Sequence, residues 1–455
     1  MLIMINIAAI CSIKNFPLIS VYGFSTITFL VLGSLIFFIP VSLVSAELAT
    51  GWPQRGVYIW VKEALGGGAG FLAIWLQWIE NVIWYPTILS FIGATFAYVI
   101  NPALAENKFY ILGVILVAFW AFSYLNMKGM KISGAISTVS AILGTIIPAI
   151  FIIILGISWY ASGHPMEITI SKKTLFPDFT SIHQLVLFSG VLLSLAGMEM
   201  SAVHALEVKH PSKDYPRAIL LSAIVILVLY ALGSLAISMV VPAAKLNLAA
   251  GAIEAFTYFL EGYHLKWLLP VMAIAMTIGG LGAMSTWIVG PTKGVLAAAV
   301  EGDLPPFFQK VNEKNMPVAL LVTQAIMVSF LSLVFLFMPS VSSSYWILSN
   351  LTVILYLVMY ILMFISAIVL RYKYPNIPRP YKIPGGNLGM WIVAGIGFLG
   401  SLLVFFLGFV PPAQVSIGNT LPYECFLIGG LIFFCIIPII IYCLRKRSWK
   451  KKQVN

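Results

Sequence analysis

The chain has 455 residues, of which 61% are hydrophobic and 9% charged, with a mean hydropathy of +1.01. A soluble domain carries about 25% charged residues, so a water-soluble globular protein is excluded. The formal charge of +11 is explained by where Lys and Arg sit, not by a nucleic-acid partner.

A bilayer crossing needs about 20 apolar residues. Twelve segments qualify: Leu2–Ser20, Thr26–Ala49, Ala69–Ile100, Phe109–Leu125, Ser133–Tyr160, Ile182–Glu207, Ala218–Val241, Trp267–Val300, Val318–Phe337, Tyr345–Leu370, Leu388–Val410 and Tyr423–Leu444. No basic region precedes the first, so it is not a cleavable signal. Because that span opens almost at Met1, a short cytoplasmic leader ahead of it is an open expectation.

The first span breaks its own hydrophobicity at Ile10-Cys11-Ser12-Ile13-Lys14-Asn15-Phe16-Pro17. In lipid a helix gives up internal hydrogen bonds only where protein or a wet cavity replaces them, so an unwound stretch is expected here. Lys14 is the one basic residue inside a span. It attracts a substrate carboxylate, stands where a sodium-coupled relative binds its ion, or pairs with Glu80; pairing is the leading reading, because a lone buried charge is expensive. Glu47 in the second span and Glu80 in the third are buried acids that need a partner, a proton or water. Glu80 lies in Trp78-Ile79-Glu80-Asn81-Val82-Ile83-Trp84-Tyr85, aromatic enough for a cavity wall or for ordinary packing. Between those two spans, Gln54–Leu65 is too polar to cross and reads as an interfacial helix carrying Tyr58, Trp60 and Glu63.

The sixth span repeats the interruption at Leu193-Ser194-Leu195-Ala196-Gly197-Met198-Glu199. Glu199 there either anchors the break by hydrogen bonds or takes up a proton. His204 and His183 titrate near neutrality, but a lone His near a span end is more often a hydrogen bonder. Leu246–Leu265, with Glu254, Phe256, Tyr258 and Glu261, mirrors the first half's interfacial segment. In the tenth span Tyr356 and Tyr360 share one helical face, toward the breaks or toward lipid.

The first ten spans thus fall into five plus five, an inverted repeat covering residues 1–160 and 161–372, with two further helices and a short basic tail in 373–455. Two interrupted spans in matching positions imply a transporter binding site between them. Twenty Lys and Arg lie in one set of loops and the tail, five in the opposite set. That asymmetry is the positive-inside pattern, which predicts both termini in the cytoplasm. The four cysteines (Cys11, Cys425, Cys435, Cys443) show no metal spacing and no disulfide framework. No Walker loop and no catalytic constellation is present, so neither an enzyme, a cofactor nor a metal site is expected, and energy comes from gradients.

Ser45-Ala46-Glu47-Leu48-Ala49-Thr50, Lys213-Asp214-Tyr215-Pro216-Arg217-Ala218 and Trp287-Ile288-Val289-Gly290-Pro291-Thr292-Lys293-Gly294 resemble the amino acid-polyamine-organocation superfamily. Within it the chain is most similar to the bacterial glutamate/γ-aminobutyrate antiporter family. Phe176-Pro177-Asp178-Phe179, Tyr356-Leu357-Val358-Met359-Tyr360 and Ile383-Pro384-Gly385-Gly386 extend the likeness over nearly the whole chain.

The resemblance implies an all-α membrane protein of twelve transmembrane helices, a five-plus-five inverted repeat with broken first and sixth helices, and alternating access between them. Substrate amino and carboxyl groups would meet backbone at Ile10 to Ser12 and Leu193 to Gly197, with Tyr356 and Tyr360 facing the substrate. Three departures leave the cargo open: Gly282-Ala283-Met284 where an acid is expected, Lys14-Asn15 where aromatic and acidic residues are expected, and too few residues after Trp449 to plug an inward path.

The resulting expectation is a secondary active amino acid transporter of the bacterial inner membrane, an antiporter. Its substrate site holds Ile10, Cys11, Ser12, Lys14, Leu193, Ser194, Ala196, Gly197, Tyr356 and Tyr360, with Glu199, Glu80 and His204 for proton coupling or gating. A proton-coupled amino acid or amine symporter is the first alternative, and a transporter-fold sensor the second. The partners are a small amino acid and the lipid bilayer; the oligomeric state is open.

Overall fold

A computed structural model describes residues 3, 6, 7, 10–53, 56–129, 140, 142–177, 182–200, 211–413 and 415–450. The described residues are helical with no strand, as lipid demands of a chain that must satisfy its backbone within each segment. Among the described residues ten helical runs are long and apolar enough to cross a membrane, so the chain is a multi-pass membrane protein. The two remaining expected spans are the interrupted ones.

In chain order, the first interrupted segment ends in α1 (Phe16–Ser20). It is followed by α2 (Gly23–Gly51), the short α3 (Gly56–Leu65), α4 (Gly67–Ile100), α5 (Lys108–Met127) and α6 (Ile142–Ala161). The second interrupted segment contains α7 (Phe188–Ser194). Then come α8 (Pro211–Val240), the short α9 (Gly251–Gly262), α10 (Leu269–Val300), α11 (Val318–Phe337), α12 (Val341–Lys373), α13 (Gly386–Leu407) and α14 (Thr420–Cys443).

The core sits around α4, which packs along α10 and α12 and buries residues on all sides; α14 at the periphery stays mostly exposed. Helix α2 widens into a π turn at Ser34–Phe38, one residue ahead of Pro40. A proline at this place frees the carbonyl four residues back, and the backbone of Gly400 on α13 lies against that carbonyl: a Cβ at Gly400 would stand 2.5 Å from the Ile36 oxygen. Helices α6 and α10 meet just as closely. A Cβ at Gly144 would fall 2.2 Å from the Gly279 Cα, the close approach of small residues that substitutes for a hydrophobic drive in lipid. Gly279→Leu is therefore expected to abolish monodisperse protein in detergent, whereas Gly395→Leu, where a Cβ would meet nothing within 4 Å, should purify like the parent. Equal chromatograms for the two would refute this packing.

Both segments expected at the interface are short helices. In α3, Tyr58 and Trp60 are buried; in α9, Phe256 is buried while Tyr258 and Glu261 turn outward. The N-terminus of α9 is fixed by Asn247, whose Oδ1 accepts from the N–H groups of Ala249 (2.8 Å) and Ala250 (3.0 Å). The Asn247 Nδ2 donates to Glu106, and its backbone N–H reaches Glu254 at 3.5 Å. Burial pushes the Glu254 carboxyl up from 4.5 to about 7; the Asn247 N–H opposes the rise and the charge of Glu106 adds to it. Between those pH values the folded state holds a proton that the unfolded chain has lost. The contribution of this group is thus fully present below pH about 4.5 and is lost, by about 2–3 kcal/mol, as the pH rises to about 7. Melting curves across this window should flatten in Glu254→Gln; an unchanged slope would contradict the assignment.

Candidate functional site

Both interruptions lie where polarity placed them, and they face one cavity. In the first segment Ile10 is helical, Cys11 and Ser12 are not, and a tight turn restarts at Ile13–Asn15 with Ser12 extended. The Ser12 side chain does not cap that turn, and the turn's first N–H groups lack intrahelical acceptors. In the second segment the helix runs through Ser194, unwinds over Leu195 to Gly197, and restarts at Met198–Met200. Gly197 has φ +115°, a conformation that costs glycine nothing and a residue with Cβ a good deal.

A phenol ties each break to a helix opposite it. The Tyr230 hydroxyl on α8 donates to the Ile10 carbonyl at 2.6 Å and accepts from the Asn15 side chain at 3.0 Å. The Tyr360 hydroxyl on α12 accepts from the Gly197 N–H at 3.0 Å and donates to Glu199 Oε2 at 2.6 Å. Tyr356, one turn earlier, donates to Glu199 Oε1, and Gln77 Nε2 approaches the same oxygen at 3.5 Å. The Glu199 carboxylate thus receives donors from two other helices and holds the second break against α12.

The cavity has a volume of about 70 Å³. Ile10, Cys11, Ser12 and Lys14 line it from the first segment, Leu193 and Ala196 from the second, with Glu80 from α4 and Tyr356 from α12. Four further expected residues, Ser194, Gly197, Glu199 and Tyr360, do not line it. Ser194 turns its hydroxyl back to the Gly190 carbonyl at 2.9 Å, and Tyr360 is bonded to both Gly197 and Glu199. His204 is outside the described residues. The cavity wall also contains Asn15, Asn81, Trp84, Ile88, Ala283 and Trp287, of which the Trp84 and Trp287 rings meet at 6.2 Å. Asn15 belongs to the first break, Asn81 and Trp84 to the aromatic run around Glu80, and Ala283 to the departure in the eighth span, whereas nothing in the sequence pointed to Ile88. Gly282, beside Ala283, packs against Ser140, where a Cβ would stand 2.1 Å from the serine Cβ. Of the two neighbours, only position 283 has a side chain on the cavity.

Lys14 is 2% exposed, yet among the described residues it makes no ion pair within 4 Å, and the expected Lys14–Glu80 pair is not formed. Two rings take the ammonium instead: Nζ lies 5.1 Å from the centre of Trp84 and 5.3 Å from that of Tyr345. Glu80 accepts from the Asn81 side chain.

At the end of α2 that faces the basic loops, Glu47 found partners the sequence did not indicate. Arg371 binds it through Nε and Nη2, both at 2.6 Å, the Ile383 N–H donates at 2.8 Å, and Arg379 Nε stands 3.8 Å away. Arg379 is further held by the carbonyls of Leu370 (2.8 Å) and Tyr374 (3.0 Å) and lies over Trp52.

Comparison with known proteins agrees with this architecture. The chain is 48% identical to an uncharacterised transporter of Legionella pneumophila over 96% of its own length and 94% of the relative's. It is 35% identical to a glutamate/γ-aminobutyrate antiporter of Lactococcus lactis, covering 98% and 92% of the two chains, and 25% identical to a probable agmatine/putrescine antiporter of the same species, covering 89% and 86%. The profile of the amino acid permeases matches residues 1–432. Two interrupted segments around one small polar cavity, in a chain whose whole length follows these transporters, place it in the amino acid permease family.

Proposed function

We propose that the chain is a secondary active amino acid transporter, an antiporter working by alternating access at the cavity between the two breaks. The observation that carries this reading is the convergence there of backbone from both breaks with Lys14, Glu80 and Tyr356. Lys14 and the N–H groups of the Ile13 turn offer donors to a substrate carboxylate; carbonyls of the breaks offer acceptors to its amine. At about 70 Å³ the cavity is well below the ~300–1,000 Å³ of ordinary ligand pockets, so a substrate enters only when helices separate.

In this reading residues 1–160 and 161–372 are the two halves of an inverted repeat and 373–455 an appendix. The membrane is the bacterial inner membrane, with both termini cytoplasmic, as the distribution of Lys and Arg supports. The glutamate/γ-aminobutyrate pair of the Lactococcus relative is not carried over, because Ala283 and Lys14 stand on the cavity wall where the resemblance implies acidic or aromatic residues. One observation favours a second reading: Glu80 is a buried carboxylate on the cavity with no cation within 4 Å, suited to proton-coupled symport or gating, a role open to Glu199 as well. Counterflow in proteoliposomes separates the two. Accumulation of a labelled amino acid that requires unlabelled amino acid inside supports exchange; accumulation driven by a pH gradient alone refutes it.

A further inference from the structure

We propose that Lys14 fills an aromatic cation cage inside the cavity with the protein's own ammonium, so that the site takes ligands that bring a carboxylate and refuses amines that bring none. The inference rests on the cavity between the breaks being the substrate site and adds a substrate class to it.

Two ring faces about 5 Å from a cation form the arrangement by which proteins recognise ammonium ligands, and it is strongest when desolvated. Here the rings come from α4 (Trp84) and α12 (Tyr345), the latter 1% exposed; the cation at 5.1 and 5.3 Å from their centres belongs to the chain itself. The cage is therefore occupied before any ligand arrives. Rings satisfy the charge of an ammonium but not its three N–H donors, and among the described residues Lys14 Nζ has no acceptor within hydrogen-bonding distance. A ligand carboxylate meets those donors.

A diamine brings cationic groups into a small low-dielectric space that already holds one, and like charges there repel strongly. Glu80, on the same wall, is available to the ammonium of a zwitterion, so a carboxylate and an amine on one ligand are both answered. Without Lys14 the Trp84 ring on that wall and the Tyr345 ring that also faces the ammonium stand vacant near the Glu80 carboxylate, which is a binding site for an organic cation. Removing one charge should thus create a specificity.

The test uses the purified full chain with putrescine as the probe, read by its effect on thermal unfolding and by binding of the labelled diamine. The parent and Lys14→Arg, which keeps the cation, are expected not to bind it. Lys14→Met and Lys14→Gln should bind it at least about tenfold more tightly than the parent, the scale that one desolvated cation–ring contact supports. Putrescine binding by the parent overturns the proposal whatever the variants do, and so does a monodisperse Lys14→Met or Lys14→Gln that gains none. Failure of the underlying reading looks different: no amino acid in a panel would show counterflow with the parent, while the gain of putrescine binding in the variants would stand.

Discussion

Glu47→Ala is expected to destabilise the protein by about 3–5 kcal/mol, the usual cost of removing one partner from a buried ion pair. The carboxylate is 1% exposed; it accepts from the two-pronged guanidinium of Arg371 and from the Ile383 N–H, with the Arg379 guanidinium as a second counter-charge at 3.8 Å. Its loss leaves two guanidinium groups against each other with no counter-charge, and unfastens the segment Arg379–Gly386 from the end of α2. Thr50 and Tyr381, bonded to each other one turn away, cannot hold that segment by themselves, since a neutral hydrogen bond contributes only about 1 kcal/mol. Arg371→Met should cost less than Glu47→Ala, because Arg379 and the Ile383 N–H still answer the carboxylate. The double variant should cost less than the sum of the singles, as groups in one network are not additive. Melting in detergent measures all three. A Glu47→Ala protein melting like the parent would show that the network holds nothing.

The partners in this cluster are not legible in the sequence. Glu47 is conspicuous as an acid in an apolar span, and the demand that it be paired follows from elementary electrostatics. Its partners, however, lie 324 and 332 residues on, in and after α12, and no periodicity connects such positions. The same holds at the breaks. Ser12, Lys14, Gly197 and Glu199 betray the interruptions because polar and small residues have no other business at mid-span. Tyr230 looks like any aromatic in an apolar helix until its hydroxyl is seen on the Ile10 carbonyl. The helical spacing of Tyr356 and Tyr360 shows that they share a face, but not that one reaches the cavity while both are engaged by Glu199. Lys14 was expected to choose an acid; the fold instead brought up two rings from different helices, a choice that depends on packing across the molecule.

The second large effect is expected at Tyr360. Tyr360→Phe should keep the fold yet lower counterflow of any transported amino acid by about 100-fold. The hydroxyl has two tasks: it accepts from the buried Gly197 N–H and donates to Glu199. Removing it orphans a backbone donor, at about 1–3 kcal/mol, and takes a charge-assisted bond worth about 1.5–3 kcal/mol from the carboxylate. Those terms fall on the second break, where the left-handed Gly197 must be held for the unwound backbone to present its groups to a substrate. About 2.7 kcal/mol of misplacement is enough for a 100-fold loss. Tyr356→Phe removes only a carboxylate bond and leaves the Gly197 N–H satisfied, so its effect should be smaller. Tyr230→Phe deprives the Ile10 carbonyl of its donor and should resemble Tyr360→Phe, because the two breaks are tied in the same way. Glu199→Gln separates anchoring from proton transfer. Its amide oxygen can accept from one tyrosine but its NH2 from neither, so an anchor is weakened and exchange falls at every pH, whereas a proton carrier loses only the pH-gradient-driven component. If Tyr360→Phe exchanges at the parental rate, the second break is not held by its phenol, and the tie between Glu199 and α12 is incidental to transport.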